Sequence, residues 1–588
     1  MLHRPVHLPA ESRPYPRQPR AAAGLRRNPW AAHGWLAGWA LLVATTLVLR
    51  QPVPIDETRY LAVAWEMWQR GDFLVPHLNG HPYAHKPPLL FWLFHLGWAL
   101  FGVNAWWPRL VPPLLALAAL WVTRRIAGRL WPDGEAALLA PWVLLGCLFW
   151  AAYMPATLFD LPLTAAVTTA IYGLVLAATG APRRGWAVTA GGLAAGLLFK
   201  GPVALLPVAS VALAGPWWSG EVRRAPRRWY GGFALAVLAG LAALAAWALP
   251  AAWAGGPGYA DDLLWRQTAD RVVESFAHRR PWWWYLPLLP VLLFPWSLWP
   301  PAWRGLGRWL RSTEPGLRMA LVWVVPPLLV LSAASGKQAH YLLPLFPGAA
   351  LAGARLAAES AAGRGGRARA LGAVVPMAAA AAVLPGLPLL AERWLHRPVD
   401  GGWVLWSSLL VAAGGLILRT AVRGGARANV IALSLGGQVT ALALTGMVLQ
   451  MLAPFFDPAP MARRVAPLVA AGTPVAWVGG YHGQLHFAGR IRRPLDEVDR
   501  GGTAAWARAH PDGYVVRREE NPPQGGAVRP VFVQPYRDGW LVLWRAAHER
   551  PPPERRGKHA PRGGGSPMSA PSLTLLVGRP ALDLNGGA

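Results

Sequence analysis

Cysteine is nearly absent: the 588 residues include one, Cys147, inside an apolar run. A single thiol closes no intrachain disulfide and builds no thiolate metal site, so Cys147 reads as core packing. Acidic residues are also scarce, 28 Asp and Glu against 57 Lys and Arg, leaving a net charge of +29. Such a surplus raises the question of nucleic acid. The basic residues, however, fall in short clusters between apolar runs rather than along one face or in one domain. The alternation of basic and aromatic residues that single-strand binders use is missing too, and no nucleic-acid partner is expected. Charge of either sign makes up only 14% of the chain, against 54% hydrophobic residues and 35 Trp. That is too apolar for a soluble globular domain.

What is present is a series of apolar runs, each long enough to cross a bilayer at roughly 17 to 25 residues. The clusters between them are rich in arginine: Arg124, Arg125 and Arg129; Arg183 and Arg184; Arg223, Arg224, Arg227 and Arg228; Arg304, Arg308, Arg311 and Arg318; Arg419, Arg423 and Arg427. By the positive-inside rule these mark cytoplasmic segments. Taken so, the spans fall at about 33–49, 106–123, 136–154, 161–179, 186–199, 202–219, 230–252, 283–303, 319–335, 341–358, 370–390, 402–419 and 428–452, about thirteen in all. An odd count puts the basic N-terminus (1–32) inside and everything after about residue 455 outside. The equally apolar stretch 87–103 breaks this parity if it crosses, because Arg124 and Arg125 would then lie outside. It is therefore expected in the outer interface. The first apolar run lacks a small-x-small cleavage site before the charged loop and reads as an uncleaved helix. The fold class expected is an all-α polytopic membrane protein with a small C-terminal α/β extracytoplasmic domain.

That domain is expected over 456–546, where MARRVAPLVAAG reads as a helix, PVAWVGG, GYVVRR, VFVQPY and GWLVLWR as strands, and YHGQLHFAG as a helical turn. The Pro, Gly and Arg-rich stretch from 547 to 588 reads as a disordered tail.

Lysine occurs at only four positions, Lys86, Lys200, Lys337 and Lys558, in a chain that otherwise uses arginine. The first three end apolar segments, and a compact ammonium there suits phosphate as a point charge. Lys200 and Lys337 equally fit snorkelling anchors at a membrane surface. Asp56 and Glu57 follow the first span and open TRYLAVAWEMWQR, whose apolar positions form one helical face with Glu66, Gln69 and Arg70 expected on the exposed side. Two carboxylates at a helix start can simply serve the helix dipole. At a water-membrane boundary they can also act as a base.

The loop DETRYLAVAWEMWQRGDFLVPHLNGHPYAHKPPLLFWL, residues 56–93, resembles the first outer loop of bacterial glycosyltransferases of the GT-C type. These are relatives of protein O-mannosyltransferases and of the lipid A aminoarabinose transferase. The shared features are Asp-Glu-x-x-Tyr, Gly-Asp, Leu-Asn-Gly and Tyr-x-x-Lys-Pro, with weaker echoes in FDLPL, FKGPVALLP and SGKQAHYLLP, so that the likeness covers about 33–450. The resemblance implies a polyprenyl-phosphate-linked sugar as donor, a lipid A, glycan or protein acceptor, and surrounding membrane lipid. It makes Asp56 the essential acid with Glu57 beside it and Asp160 approaching from the next outer turn. It has Arg59, Lys86 and Arg271 hold phosphate, and Tyr60 and Tyr83 line the site. Lys337 and Tyr341, from SGKQAHYLLP, join them as candidate substrate-binding residues. Where the aminoarabinose transferases carry a metal-binding Glu, this chain has His85. Imidazole still ligates divalent ions, so a divalent cation is the one cofactor left open. The rival readings are a transporter or lipid flippase, whose ionisable groups belong at the bilayer midplane, and a non-catalytic envelope assembly protein.

Overall fold

The computed structural model describes residues 29–266, 280–361, 403–423, 425–523 and 528–548, with a few positions between 375 and 386. The span expected at 370–390 falls almost wholly outside these residues, as do Arg271, the N-terminus to residue 28 and the tail from 549. Among the described residues eight helices are long and apolar enough to cross a membrane, including Trp106–Leu130, Asp160–Ala178, Pro226–Trp265 and Arg427–Val448.

Two expected spans take a different form. The stretch 136–154 is divided into Glu135–Leu145 and Leu148–Tyr153. At the division Gly146 presses on Ser434, whose Cα stands 2.6 Å from where a Gly146 Cβ would be. Small residues permit this approach of helix backbones, and the Trp142 carbonyl turns to accept from Ser434 Oγ at 2.5 Å. The stretch 283–303 is no single helix but a chain of short turns, Trp282–Tyr285, Leu289–Leu292 and Trp296–Leu298, followed by Pro300–Leu310. Pro287, Pro290, Pro295, Pro300 and Pro301 supply the reason, since each removes a donor and clashes with the preceding turn.

The stretch 87–103 forms the helix Leu89–Phe101. Its 13 residues give a rod of about 20 Å, short of a hydrocarbon core of about 30 Å. Phe91, Phe94 and Trp98 are buried with Tyr60, Leu61 and Ala64 of the helix Asp56–Arg70, so the two pack as one layer. Single-cysteine labelling at Asn104 and at Arg500 is expected to report the outer side for both positions, over a low background because Cys147 is buried. An inside signal at 104 overturns the parity assignment.

Asp160–Ala178 and Pro182–Lys200 form an antiparallel hairpin of two arms of 19 residues each. Glycine lets the arms touch: a Cβ at Gly192 would stand 2.5 Å from the Ala170 nitrogen, and one at Gly185 2.4 Å from the Ala177 nitrogen. Equal arms bring the first residue, Asp160, level with the last, Lys200.

The C-terminal unit contains a five-stranded sheet: β3 (Val475–Val478), β4 (Asp496–Val498), β5 (Tyr514–Glu519), β6 (Phe532–Tyr536) and β7 (Gly539–Arg545), ordered β4-β3-β5-β7-β6. β3 is parallel to β4 and β5, while β7 runs antiparallel to β5 and β6. The expected helix appears as Ala459–Ala470 and the helical turn as His486–Gly489. β4 and the helix Thr503–Ala509 are additions to the expected pattern.

Candidate active site

The site begins with the way the first loop is anchored. Arg109 reaches beneath the end of the first helix and donates to the Thr46 and Leu47 carbonyls at 3.0 and 2.9 Å and to the Arg50 carbonyl. It thereby satisfies carbonyls that a helix end leaves open. The Arg50 side chain pairs with Glu57 (Nη1 to Oε2, 2.7 Å) and donates to the Pro155 carbonyl at 3.3 Å. Glu57 Oε2 also accepts the Thr157 backbone N–H at 3.1 Å. The buried Glu57 thus ties the start of the Asp56–Arg70 helix to the turn that leads into Asp160. Its neighbour looks the other way: Asp56 keeps a third of its side chain exposed and pairs through Oδ1 with Arg59.

Asp160, 3% exposed, is the centre of a second group. Its Oδ1 binds Lys200 Nζ at 2.5 Å, its Oδ2 accepts from the Tyr153 hydroxyl at 3.2 Å, and His340 Nε2 stands 3.9 Å from Oδ2. The His340 ring stacks on Tyr153, and the Tyr341 ring lies 5.0 Å from Lys200 Nζ. Lys86 sits 6.0 Å from the Phe159 ring and acts electrostatically on both Asp160 and His340. Phe159 meets Tyr60 edge-on at 4.8 Å, which joins the two groups. Burial and the Asp56 charge push the Tyr60 phenol well above its ordinary pKa, so it stays protonated beside Arg59. Tyr83 is buried, with the exposed His85 ring 5.1 Å from its own.

Asp56, Arg59, Tyr60, Tyr83, Lys86, Asp160 and Tyr341 are therefore brought together as the sequence led us to expect. Glu57 faces the scaffold. Lys337 is buried and gives its ammonium to the Arg280 carbonyl at 3.0 Å and to the Ala334 carbonyl, which follows the helix Pro315–Ala333. Glu66 is a correction: it is 7% exposed rather than on the open face. Arg70 and the Gly80 N–H, at 2.8 and 2.9 Å, satisfy its Oε1. Among the described residues no three His, Cys, Asp or Glu side chains are grouped to hold a metal ion. Lys200, His340 and Tyr153 were missed as site members. Lys200 carried two signals, its rarity as a lysine and its place in FKGPVALLP, and His340 one, its place in SGKQAHYLLP, whereas nothing local marks Tyr153.

Glu57→Gln is expected to lower stability by about 3 kcal/mol, the low end for breaking one partner out of a buried pair, because the amide still accepts from Thr157. Thermal unfolding in detergent reads the loss. Transfer per folded molecule should remain measurable.

A helical membrane bundle carrying a small C-terminal α/β domain is the GT-C architecture. Two structures of ArnT from Cupriavidus metallidurans share it. The apo form superposes with a TM-score of 0.70 at 20% identity, covering 88% of this chain and 99% of that one. The form bound to undecaprenyl phosphate gives 0.69 at 18%, over 87% and 98%. The family model described as dolichyl-phosphate-mannose-protein mannosyltransferase matches residues 85–247. The undecaprenyl phosphate-alpha-4-amino-4-deoxy-L-arabinose arabinosyl transferase of Pectobacterium carotovorum is 33% identical over 416 residues, 64% of this chain and 72% of that protein. The chain belongs to the family of these arabinosyl transferases. Its match to the Edwardsiella ictaluri protein of the same name, 34% identical, spans 53% of this chain and 58% of that protein's length.

Proposed function

We propose that the chain is a multi-pass inner-membrane glycosyltransferase that moves a sugar from an undecaprenyl-phosphate-linked donor to an envelope acceptor, lipid A foremost, on the outer face of the membrane. One observation carries this reading. The charged side chains Asp56, Arg59, Lys86, Asp160 and Lys200, drawn from separate segments, gather with His340 and Tyr341 at one end of the spans, where a lipid donor's headgroup emerges. Such an arrangement argues against the transporter alternative, whose ionisable residues belong at the midplane.

The chemistry follows from the groups present. An acceptor oxygen attacks the anomeric carbon, the bond from that carbon to the phosphate oxygen breaks, and undecaprenyl phosphate leaves with the electron pair. Charge grows on the phosphate, and Lys86 and Arg59 stabilise it from fixed positions in a partly dry cleft. An acceptor hydroxyl must lose its proton, and Asp56 takes it. Its Oδ2 accepts no hydrogen bond from protein among the described residues. Asp160 has both oxygens engaged and serves to hold Lys200 and His340 in place.

The test is transfer by purified protein from labelled undecaprenyl phosphate-4-amino-4-deoxy-L-arabinose to lipid A, read by mass spectrometry, beside the envelope lipids and glycans of a deletion strain. No transfer together with an unchanged envelope sinks the reading.

A further inference from the structure

β3 ends at Val478 and is followed by Gly479-Gly480-Tyr481-His482-Gly483-Gln484. The chain leaves β3 towards β4 on one side, whereas β5, on the other side, passes on towards β7 and β6. In open α/β sheets ligands settle outside the carboxyl ends of strands at such a reversal. Here that loop lies on the catalytic helix. A Cβ at Gly483 would stand 2.5 Å from Ala62 Cβ and 4.0 Å from Arg59 Cα, and its φ of +73° suits only glycine well.

The loop is pinned from several sides. Tyr481 N–H donates to Glu497 Oε2 at 3.1 Å, His482 N–H donates to Gln484 Oε1 at 2.9 Å, and the Tyr481 hydroxyl meets His486 Nδ1 at 2.7 Å. The catalytic loop is held by the same residue: Asn79 Nδ2 donates to Glu497 Oε1 at 3.0 Å, and the Asn79 side chain exchanges two hydrogen bonds with the Leu495 backbone. The His482 ring is the exception. It is half-buried, and among the described residues it makes no hydrogen bond. The charged groups facing it are Arg59, Glu497, Asp56 and Arg537. Burial, then the Arg59 charge, lowers its pKa from the ordinary value, so near neutral pH it offers one donor and one acceptor. That pair suits sugar hydroxyls and gives little to an anion.

We propose that His482 is a specificity-determining residue that hydrogen-bonds the hydroxyls of a saccharide acceptor as its reacting oxygen is presented to Asp56. The assignment rests on the glycosyltransferase reading above. The acceptor side is chosen because His482 faces Asp56, the carboxylate that takes the acceptor's proton, and sits apart from Lys86, Lys200 and His340, which gather around Asp160.

Lipid A and undecaprenyl phosphate serve as probes, their binding measured separately on the full chain in detergent. His482→Ala is expected to weaken lipid A binding about tenfold, 1.4 kcal/mol, and to leave undecaprenyl phosphate within about twofold. His482→Gln, which keeps a donor and an acceptor, should restore most of the loss. In turnover the acceptor KM rises while kcat changes little. Gly483→Val, which lifts the loop from Ala62, should weaken lipid A binding at least as much. Unchanged lipid A affinity in His482→Ala overturns the assignment, and so does an equal loss for undecaprenyl phosphate or an effect confined to Gly483→Val. Should the native chain transfer no sugar, the proposed function falls, while the binding comparison still decides the place of His482.

Discussion

Asp56→Asn lowers transfer by at least about a hundredfold, the lower end of what a positioned general base contributes, with the folded yield unchanged. The geometry singles out this carboxylate among the three near the site. Glu57 is enclosed, its oxygens taken by Arg50 and by the Thr157 N–H. Asp160 holds Lys200 on one oxygen and Tyr153 on the other. Only Asp56 combines a side chain one-third exposed with an oxygen that no protein group occupies among the described residues. Asparagine keeps the size and the helix start but cannot take a proton, and it releases Arg59 from its partner. The measurement is transfer by Asp56→Asn and Glu57→Gln, each normalised to folded protein. A dead Glu57→Gln beside an active Asp56→Asn reverses the roles; activity in both moves the base elsewhere.

The separation of Asp56 from Glu57 was legible in the chain. Adjacent helical residues point about 100° apart, so they cannot both aim at one centre, and the structure turns Glu57 to the scaffold. Asp56, Arg59, Tyr60, Tyr83 and Lys86 were legible together because one contiguous loop carries them. The short helix at 89–101 agrees with the reading of 87–103 as a segment that does not cross, which rested on counting charges across apolar runs. Lys200 was only half legible. Its partner lies 40 residues away, and two helical arms of equal length bring them level, a relation between elements that no local pattern encodes. His482 comes from a segment far along the chain and carries no motif of its own; His340 lies in SGKQAHYLLP, yet nothing there marks it rather than Lys337 as the residue that reaches Asp160. In 283–303 hydropathy outweighed a run of prolines that breaks any continuous helix. Strand β4 is three residues with two acids, too short and too polar for alternation to show. Glu66 misled because helical periodicity assigns it to the open face, whereas the Asn79-Gly80 turn folds back over it. That turn joins β1 (His77–Leu78) and β2 (His81–Pro82), with Asn79 at φ +53° and Gly80 at +87°, the pairing expected of a two-residue hairpin.

Lys86→Ala abolishes turnover to within about two to three orders of magnitude of the native rate, the loss seen when one preorganised charge is taken from a developing anion. Lys86 follows the β1–β2 hairpin and lies beside the Phe159 ring, within electrostatic reach of Asp160 and His340. Lys200, the other ammonium in the group, already bonds to Asp160, so it offers phosphate far less net charge and cannot replace Lys86. Lys86→Arg should recover little: a planar guanidinium is longer, more weakly hydrated and shaped for two parallel bonds, whereas this position has a compact point charge against an aromatic face. The fold should tolerate both changes, because the side chain is only half-buried. Three readings settle the matter on the same preparation: thermal unfolding, undecaprenyl phosphate affinity and transfer rate. Weakened lipid phosphate binding with an unshifted melt and lost transfer is the expected set. Near-normal transfer by Lys86→Ala removes the lysine from the phosphate site and makes Arg59 the next cation of the loop to be tested there, since Arg70 is taken by Glu66.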